Sequence, residues 1–558
     1  MEVRLPSLPW DVLFMIIDEI RCQHCQSVLS RACKPFRSRL IPRVWETLHI
    51  VELCGNGSSG QTNANRRCYA GHGSDLPLST MVRHANSEPP CLPDRLYQCG
   101  PRTVFPHLFG VLSTLFRKPY LRQHVKHLRV RRTYWEGELP YNAEKQGATA
   151  LHLIAGGDAD LASGVREVVR NAAGSSQNVD KWTMEFSGPN FGNAYLAVLL
   201  SLLSESLQTL DVLEGGARDV DSQCDAARLA FGWLSYQTSP QLQAGETTTS
   251  HPRFSGLERM TVRYYPDHYF LQISKPQEPF EFISRSDNVR NLTIQGGSFQ
   301  PPLQSFDFGP CPALRRLELD SCVFMEDFSD LELILNRLSL IDTLCIILDR
   351  LNYHDIRCTP DGCSIELPSK LLLDVLMDVL AVGANTYQNL TIGLTKPDDF
   401  PWFPVDESAS QSLKDFTKLK RLHIDDGLYS ACNSDDFDFE CQLTNALPPQ
   451  LEELRLIIDS EFSSMPHETM IHLLNHKKSQ VPGLQRLIVD ADWKWLRKNT
   501  KAVLELEELC EDEDVECIVL RNGVQGSYVP PGAPLEDLQP WQRTAARTRK
   551  DWRDLLVM

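Results

Sequence analysis

Gly55 to Gly60 reads GNGSSG, the G-x-G-x-x-G spacing with which glycine-rich loops close backbone amides onto a pyrophosphate. It comes after an apolar stretch, ETLHIVEL, that is expected to be a strand, and Asp75 lies 20 residues beyond Gly55. The chemistry also needs a helix to begin there, so that its first free N–H groups meet the phosphates. The next residues, QTNANRRCYAGHGSD, have no helical period, so a loop is expected instead. Cys22 and Cys25 offer two thiolates in a C-x-x-C frame, half of what a structural zinc requires. No second C-x-x-C supplies the rest, Cys358 and Cys363 are spaced differently, and no βαβ pattern surrounds the pair to suggest a redox role. The 15 histidines contain no H-E-x-x-H, and neither G-x-S-x-G nor a phosphate-binding G-x-x-x-x-G-K-[ST] occurs. None of these motifs is therefore read as a working site, and no cofactor or metal is expected. A nucleotide-using enzyme built on Gly55–Gly60 stays as a distant third reading, recognisable by thermal stabilisation with a dinucleotide.

Length and composition set the frame for these residues. The chain has 558 residues, 42% hydrophobic and 23% charged, with a formal net charge of −17. That length exceeds what one compact core holds, so several domains or an elongated repeat array are expected. The negative balance opposes broad nucleic-acid binding, which needs clustered cations to neutralise phosphates. No apolar run reaches the roughly 18 residues of a membrane span; YLAVLLSLL at 195–203 falls short. The apolar start, flanked by Asp11, Asp18 and Glu19 and lacking a small-residue cleavage site, does not read as an export signal. Seventeen scattered cysteines, an odd number, then read as reduced thiols of a cytoplasmic or nuclear protein. Asn291-Leu-Thr293 and Asn389-Leu-Thr391 match the glycosylation pattern, but both fall in expected strands and are taken as chance.

A fixed pattern organises most of the chain. ALRRLELDSC places Leu314, Leu317 and Leu319 in L-x-x-L-x-L, and the template recurs at Leu257, Val289, Ile341, Tyr387, Leu419, Leu451 and Leu484. HVKHLRV, NVDKWTM and SLQTLDV fit upstream, and DVECIVL (Val515, Ile518, Leu520) is read as the last unit. From Leu257 onward the first positions lie 25 to 46 residues apart, and five of the eight intervals are 31 to 33. The last two apolar positions alternate on one face of a short strand. Such a unit cannot bury that face alone, so neighbours must stack. Helical spacing at 330–340, 369–380 and 467–477 supplies the returns between strands. This layout resembles the leucine-rich-repeat family, with irregular units that mostly lack the Asn or Cys of regular members. The alternative is a doubly wound α/β domain. Residues 54–103 are a Gly-, Ser-, Asn- and Pro-rich insert, and 526–558 a Pro/Gly hinge and then a basic tail, WQRTAARTRKDWRDLL. The acidic run at 505–516 is read as a solvated helix face.

Two helices must precede the repeats. Pro9 suits a first helical turn and Asp11 its positive end. Val12, Leu13, Ile16, Ile17 and Ile20 then form one apolar stripe. A second helix is expected over 27–40, with Val28, Leu29, Ala32, Cys33 and Phe36 on its apolar side. The stretches LPWDVLFMIIDEI and LSRACKPFRSRLIPRVWETLHI resemble an F-box of the fungal type. The expected architecture is thus α/β: a short all-α F-box at 1–50, the insert at 54–103, an irregular strand–loop–helix solenoid at 104–525, and the tail at 526–558.

The resemblance implies a role. F-boxes dock on a Skp-family adaptor and, through it, on the cullin of an SCF-type ubiquitin ligase. It assigns Leu8, Pro9, Val12, Leu13, Ile16 and Leu29 to that adaptor, with Phe36 and Trp45 holding the box together. The competing reading makes these residues the first layer of the array's own core. Protein targets would bind the outward strand positions: His127, Arg129 and Arg131 early, Arg259 and Arg263 next, Asp425 and Asp490 late, a basic-to-acidic gradient. An interaction scaffold outside any ligase is the alternative function.

Overall fold

The computed structural model describes residues 34–54, 106–134, 159–173, 191–214, 254–264, 277–284, 288–296, 310–322, 328–338, 340–348, 355–359, 362–366, 373–394, 413–425, 446–458, 466–522 and 546–547, with isolated positions at 13, 15, 26, 29–31, 179–180, 182–183, 186, 286 and 324. The chain folds into two compact units, Met1–Tyr265 with Glu278–Val289, and Pro266–Gln277 with Arg290–Met558.

In the first unit, helix α1 (Lys34–Glu46) runs without a loop into strand β1 (Thr47–Cys54). Next come α2 (Pro106–Arg117), a 3-10 turn at Pro119–His124, β2 (His127–Tyr134), α3 (Ala159–Ala173), α4 (Phe191–Leu203), β3 (Thr209–Glu214), β4 (Arg259–Tyr264) and the short α5 (Gln277–Ile283). Strands β1 to β4 pair in parallel in chain order. In the second unit β5 (Asn291–Gln295), β6 (Arg316–Cys322), β7 (Thr343–Leu348), β10 (Asn389–Leu394), β11 (Arg421–Asp425), β12 (Glu453–Ile458), β13 (Arg486–Asp492) and β14 (Glu516–Asn522) do the same. A separate hairpin, β8 (Asp355–Thr359) and β9 (Gly362–Glu366), sets Cys358 opposite Cys363, and β15 (Ala546–Arg547) adds antiparallel to β14. Helices α6 (Ser329–Arg337), α7 (Leu373–Ala381), α8 (Pro466–Asn475), α9 (Lys477–Gln480), α10 (Trp493–Lys498) and α11 (Thr500–Asp512) return the chain between strands. The protein is α/β. Among the described strands neither unit shows the reversal of order that marks a doubly wound sheet.

The two spacer residues of L-x-x-L explain why the register repeats. Their amides grip one carbonyl of the preceding unit: Arg315 and Arg316 donate to Arg290, Asp342 and Thr343 to Arg315, Gln388 and Asn389 to Asp342, Lys420 and Arg421 to Gln388. The first apolar residue closes the turn before them, as when the Leu419 N–H donates to the Phe416 carbonyl. The three apolar positions of each unit from Leu257 to Leu484 then face the helices and are buried, as are Leu331, Ile334 and Leu335 of α6 and Val503, Leu506 and Cys510 of α11. Each such side chain contributes about 1.5–3 kcal/mol of transfer free energy.

Three readings need correction. Residues 179–180 and 182–183 are helical, so NVDKWTM is no strand. Trp182 is fully buried, donating Nε1–H to the Ala194 carbonyl, a partner 12 residues away that the strand template does not anticipate. The last unit is one residue shorter than the template. α11 ends with Asp514 in the left-handed region and the Val515 N–H on the Cys510 carbonyl, a Schellman closure. Cys517 and Val519 therefore align with Leu487 and Val489, and Ile518 and Leu520 turn to the opposite face. The second helix is not continuous over 27–40: Leu29 and Ser30 are helical, Arg31 is a turn, and α1 starts afresh at Lys34-Pro35, where proline is favoured. It then runs through Pro42 to Glu46.

Candidate functional site

Two surfaces in the first unit carry the side chains of interest. Near the start, Phe36 and Leu40 form a small buried nucleus, with half-buried Leu13, Leu29 and Val44 packed on it. Met15 is 69% exposed, a large apolar side chain left to solvent two residues from Leu13. Trp45 is half-buried on α1. Leu8, Pro9, Val12 and Ile16 lie outside the described residues, as do Cys22, Cys25 and the whole of Gly55–Gly60.

The second surface is the outward face of β1 to β4. Alternation along each strand turns Leu128 and Val130 inward and His127 and Arg129 outward. Register places Arg129 between His49 of β1 and Asp211 of β3. Arg129 Nε donates to Asp211 Oδ2 at 3.0 Å, and Arg263 Nη2 reaches the same oxygen at 3.3 Å. Two guanidinium groups share one carboxylate, so the trio keeps a net positive charge, and the Arg129 side chain is still 43% exposed. His127 Nδ1 lies 2.8 Å from Thr209 Oγ1, and Arg259 is exposed. Arg131 sits in β2 opposite Val51 and Leu213. The structure thus gathers Arg129 and Arg263 around an acid that the sequence reading did not single out. Asp211 occupies the same outward position in its strand, and that shared offset was the available signal.

The acidic end of the expected gradient is absent from the surface. Asp425 and Asp490 are buried, because both faces of β7 and β10 to β13 are covered. Spacing tells which face a residue points to; it does not tell whether that face meets water. In place of an open acidic face there is a buried polar network. Arg455 and Asp490, each 1% exposed, pair through Arg455 Nε at 2.9 Å and through Nη2. His423 Nε2 lies 2.9 Å from Glu453 Oε1, and Arg486 bridges Glu453 Oε2 at 2.8 Å and Glu516 Oε2 at 2.9 Å. The carboxylate partner assigns the proton to Nε2, which leaves His423 Nδ1 without a partner among the described residues. Burial pulls His423 below the ordinary imidazole value, against the hydrogen bond to Glu453. Burial pushes Glu453 up, but the His423 hydrogen bond and the Arg486 contacts more than reverse this and hold it at about 2.

Among the described residues no group of three or more His, Cys, Asp or Glu is placed to hold a metal ion. No described helix is long and apolar enough to cross a membrane; 195–203 belongs to α4, and Ala194 to Leu200 are buried. No protein-family model matches the chain, and no curated protein matches it significantly.

Proposed function

We propose that the protein is the target-recruiting subunit of an SCF-type cullin–RING ubiquitin ligase: an F-box at 1–50 docks on a Skp-family adaptor, and leucine-rich-repeat-like strands bind the target. The observation that carries the reading is Met15 standing in solvent beside a nucleus whose fully buried side chains, among the described residues, are Phe36 and Leu40. A segment of about 50 residues has little core of its own and leaves apolar surface for a foreign subunit to cover. Strands paired in chain order support an array of stacked units. The exposed face of the first unit, with Arg129, Arg259 and Arg263, would take the target, one with acidic character.

The mechanism is proximity. A target held beside a ubiquitin-loaded enzyme reacts as though the step were intramolecular, and no residue of this chain does chemistry. Loop-free passage from α1 into β1 joins the helix on which Leu13 and Leu29 pack directly to the first strand.

The test is capture of a purified Skp-family adaptor by the full-length chain. Met15→Glu changes an exposed side chain and is expected to weaken capture at least about tenfold with folding unchanged. Leu13→Asp should do so as well, with some loss of stability from the Phe36–Leu40 nucleus. No capture, or capture indifferent to Met15→Glu, overturns the reading in favour of a scaffold outside any ligase. Mass spectrometry of captured proteins, with and without the first 50 residues, would then name the target.

A further inference from the structure

The first unit also contains a cleft, which shares Val44 with the Phe36–Leu40 nucleus. It lies between α1 and the turn Lys118–Leu121, and its volume is about 660 Å³, within the range of about 300–1,000 Å³ usual for binding sites. Four cations line it, Arg31, Lys34, Arg37 and Lys118, and all four are exposed. Among the described residues no acidic side chain lines it, and none of the four cations forms an ion pair. Its apolar floor is Ile41, Val44, Trp45, Leu48 and Leu121.

The order of these residues polarises the cleft. Lys34, Arg37, Ile41 and Val44 recur at steps of three and four, one stripe along α1. The cations occupy its N-terminal part, where the helix dipole adds positive potential, and the apolar residues its C-terminal part. The opposite wall is held in place: the Lys118 N–H donates to Thr114, the Leu121 N–H to Lys118, and Arg122 Nε to the Leu115 carbonyl at 3.1 Å. Four like charges around one cleft repel each other, in a chain of net charge −17. That arrangement favours an anion with an apolar portion beside it.

We infer that this cleft binds an acidic peptide segment of a partner protein, with its carboxylates among Arg31, Lys34, Arg37 and Lys118 and a bulky apolar side chain against Trp45. A small inorganic anion would leave the floor bare. Nucleic acid or an anionic membrane would need a broad positive field, which the overall charge opposes. The inference does not rest on the ligase reading, since Leu13 and Met15 do not line the cleft.

The test is fluorescence anisotropy of the full-length chain with a panel of labelled six-residue peptides that carry three Asp or Glu and then Leu, Phe or Trp. Saturable binding is expected, weakened at least about tenfold by Lys34→Glu/Arg37→Glu, and by raising salt from about 50 to 300 mM. Replacing the peptide's acids by Asn and Gln, or its apolar residue by Ser, should cost a similar factor. Should the double variant not fold, Lys118→Glu, on the opposite wall, takes its place. No saturable binding by any panel member, or binding indifferent to the reversals, overturns the inference. Phosphatidylserine vesicles that bind the chain through the same cations, while the peptides do not, would assign the cleft to a lipid surface.

Discussion

Asp490→Asn should destabilise the second unit by about 3–5 kcal/mol, a large fraction of the stability of an ordinary domain. Arg455 and Asp490 are each 1% exposed, and two guanidinium contacts converge on one carboxylate oxygen. A guanidinium cannot shed its proton, so losing the Asp490 carboxylate takes a counter-charge from a cation held away from water. The asparagine oxygen still accepts one hydrogen bond, which sets the lower end of the range; Asp490→Ala should reach the upper end. Arg455→Met leaves the Asp490 carboxylate buried without that guanidinium and should cost a similar amount. Replacing both, Arg455→Met with Asp490→Leu, removes the desolvation penalty together with the attraction. It should fall within about 1 kcal/mol of the parent or exceed it. Hydrogen exchange at β12 and β13 reads the second unit without interference from the first, and urea titration of that exchange gives the free energies. The reasoning fails if Asp490→Asn costs less than about 1 kcal/mol, or if the double variant is no better than the singles.

The same network makes the second unit sensitive to acid. His423, held below its ordinary 6.5 by burial, and Glu453, held at about 2 against its ordinary 4.5, both bind fewer protons folded than unfolded. Stability is therefore complete above pH 6.5 and is lost as the pH falls, first through His423 and then, between 4.5 and 2, through Glu453. Urea midpoints across that range should decline in two stages, His423→Gln should flatten the upper one, and a level profile would refute the account. Gly383→Ala should cost about 1–3 kcal/mol, because a Cβ there would meet the ring of Tyr387, which is buried and stacked on Phe416 at 6.2 Å between centroids. Trimming that ring in Gly383→Ala/Tyr387→Leu should return part of the loss; thermal stability equal to the parent in the single variant would contradict the packing.

The strands were legible because L-x-x-L-x-L encodes a local geometry. Leu419, Leu422 and Ile424 fix one strand and one turn whatever surrounds them, and their spacers fix the grip on the previous unit. The failures lie where context decides. Val179, Trp182 and Met184 satisfy the template, yet Trp182 finds its partner on α4 and the segment coils. Val515 and Ile518 satisfy it as well, but the helix end at Asp514 removes a residue and flips the strand. The covered face of the second unit left a trace that alternation-based reading passes over. TLCIIL in β7 is an almost unbroken apolar run and ELRLII in β12 ends in one, the pattern of strands buried on both sides. HLRV in β2 and RMTV in β4 alternate strictly, and their outward residues are exposed or half-buried. Arg455, alone among Leu454, Leu456, Ile457 and Ile458, is in that light a charge that needs a buried partner, and Asp490 is that partner.

Identical units can thus serve opposite purposes according to what stands at the outward strand positions. In the second unit these positions hold Cys345, Thr391, His423 and Arg455, all buried, so burial there supplies cohesion instead of a surface. In the first they hold His49, Arg129 and Asp211, with water access. The same unit carries Met15, the cationic cleft and the uninterrupted passage from α1 to β1. Under the proposed recruiting role such concentration is an advantage, because the rate gain of proximity holds best when two bound partners keep one distance and orientation. A helix that becomes a strand would then serve better than a flexible linker, since each residue of slack dilutes the effective concentration of one partner around the other.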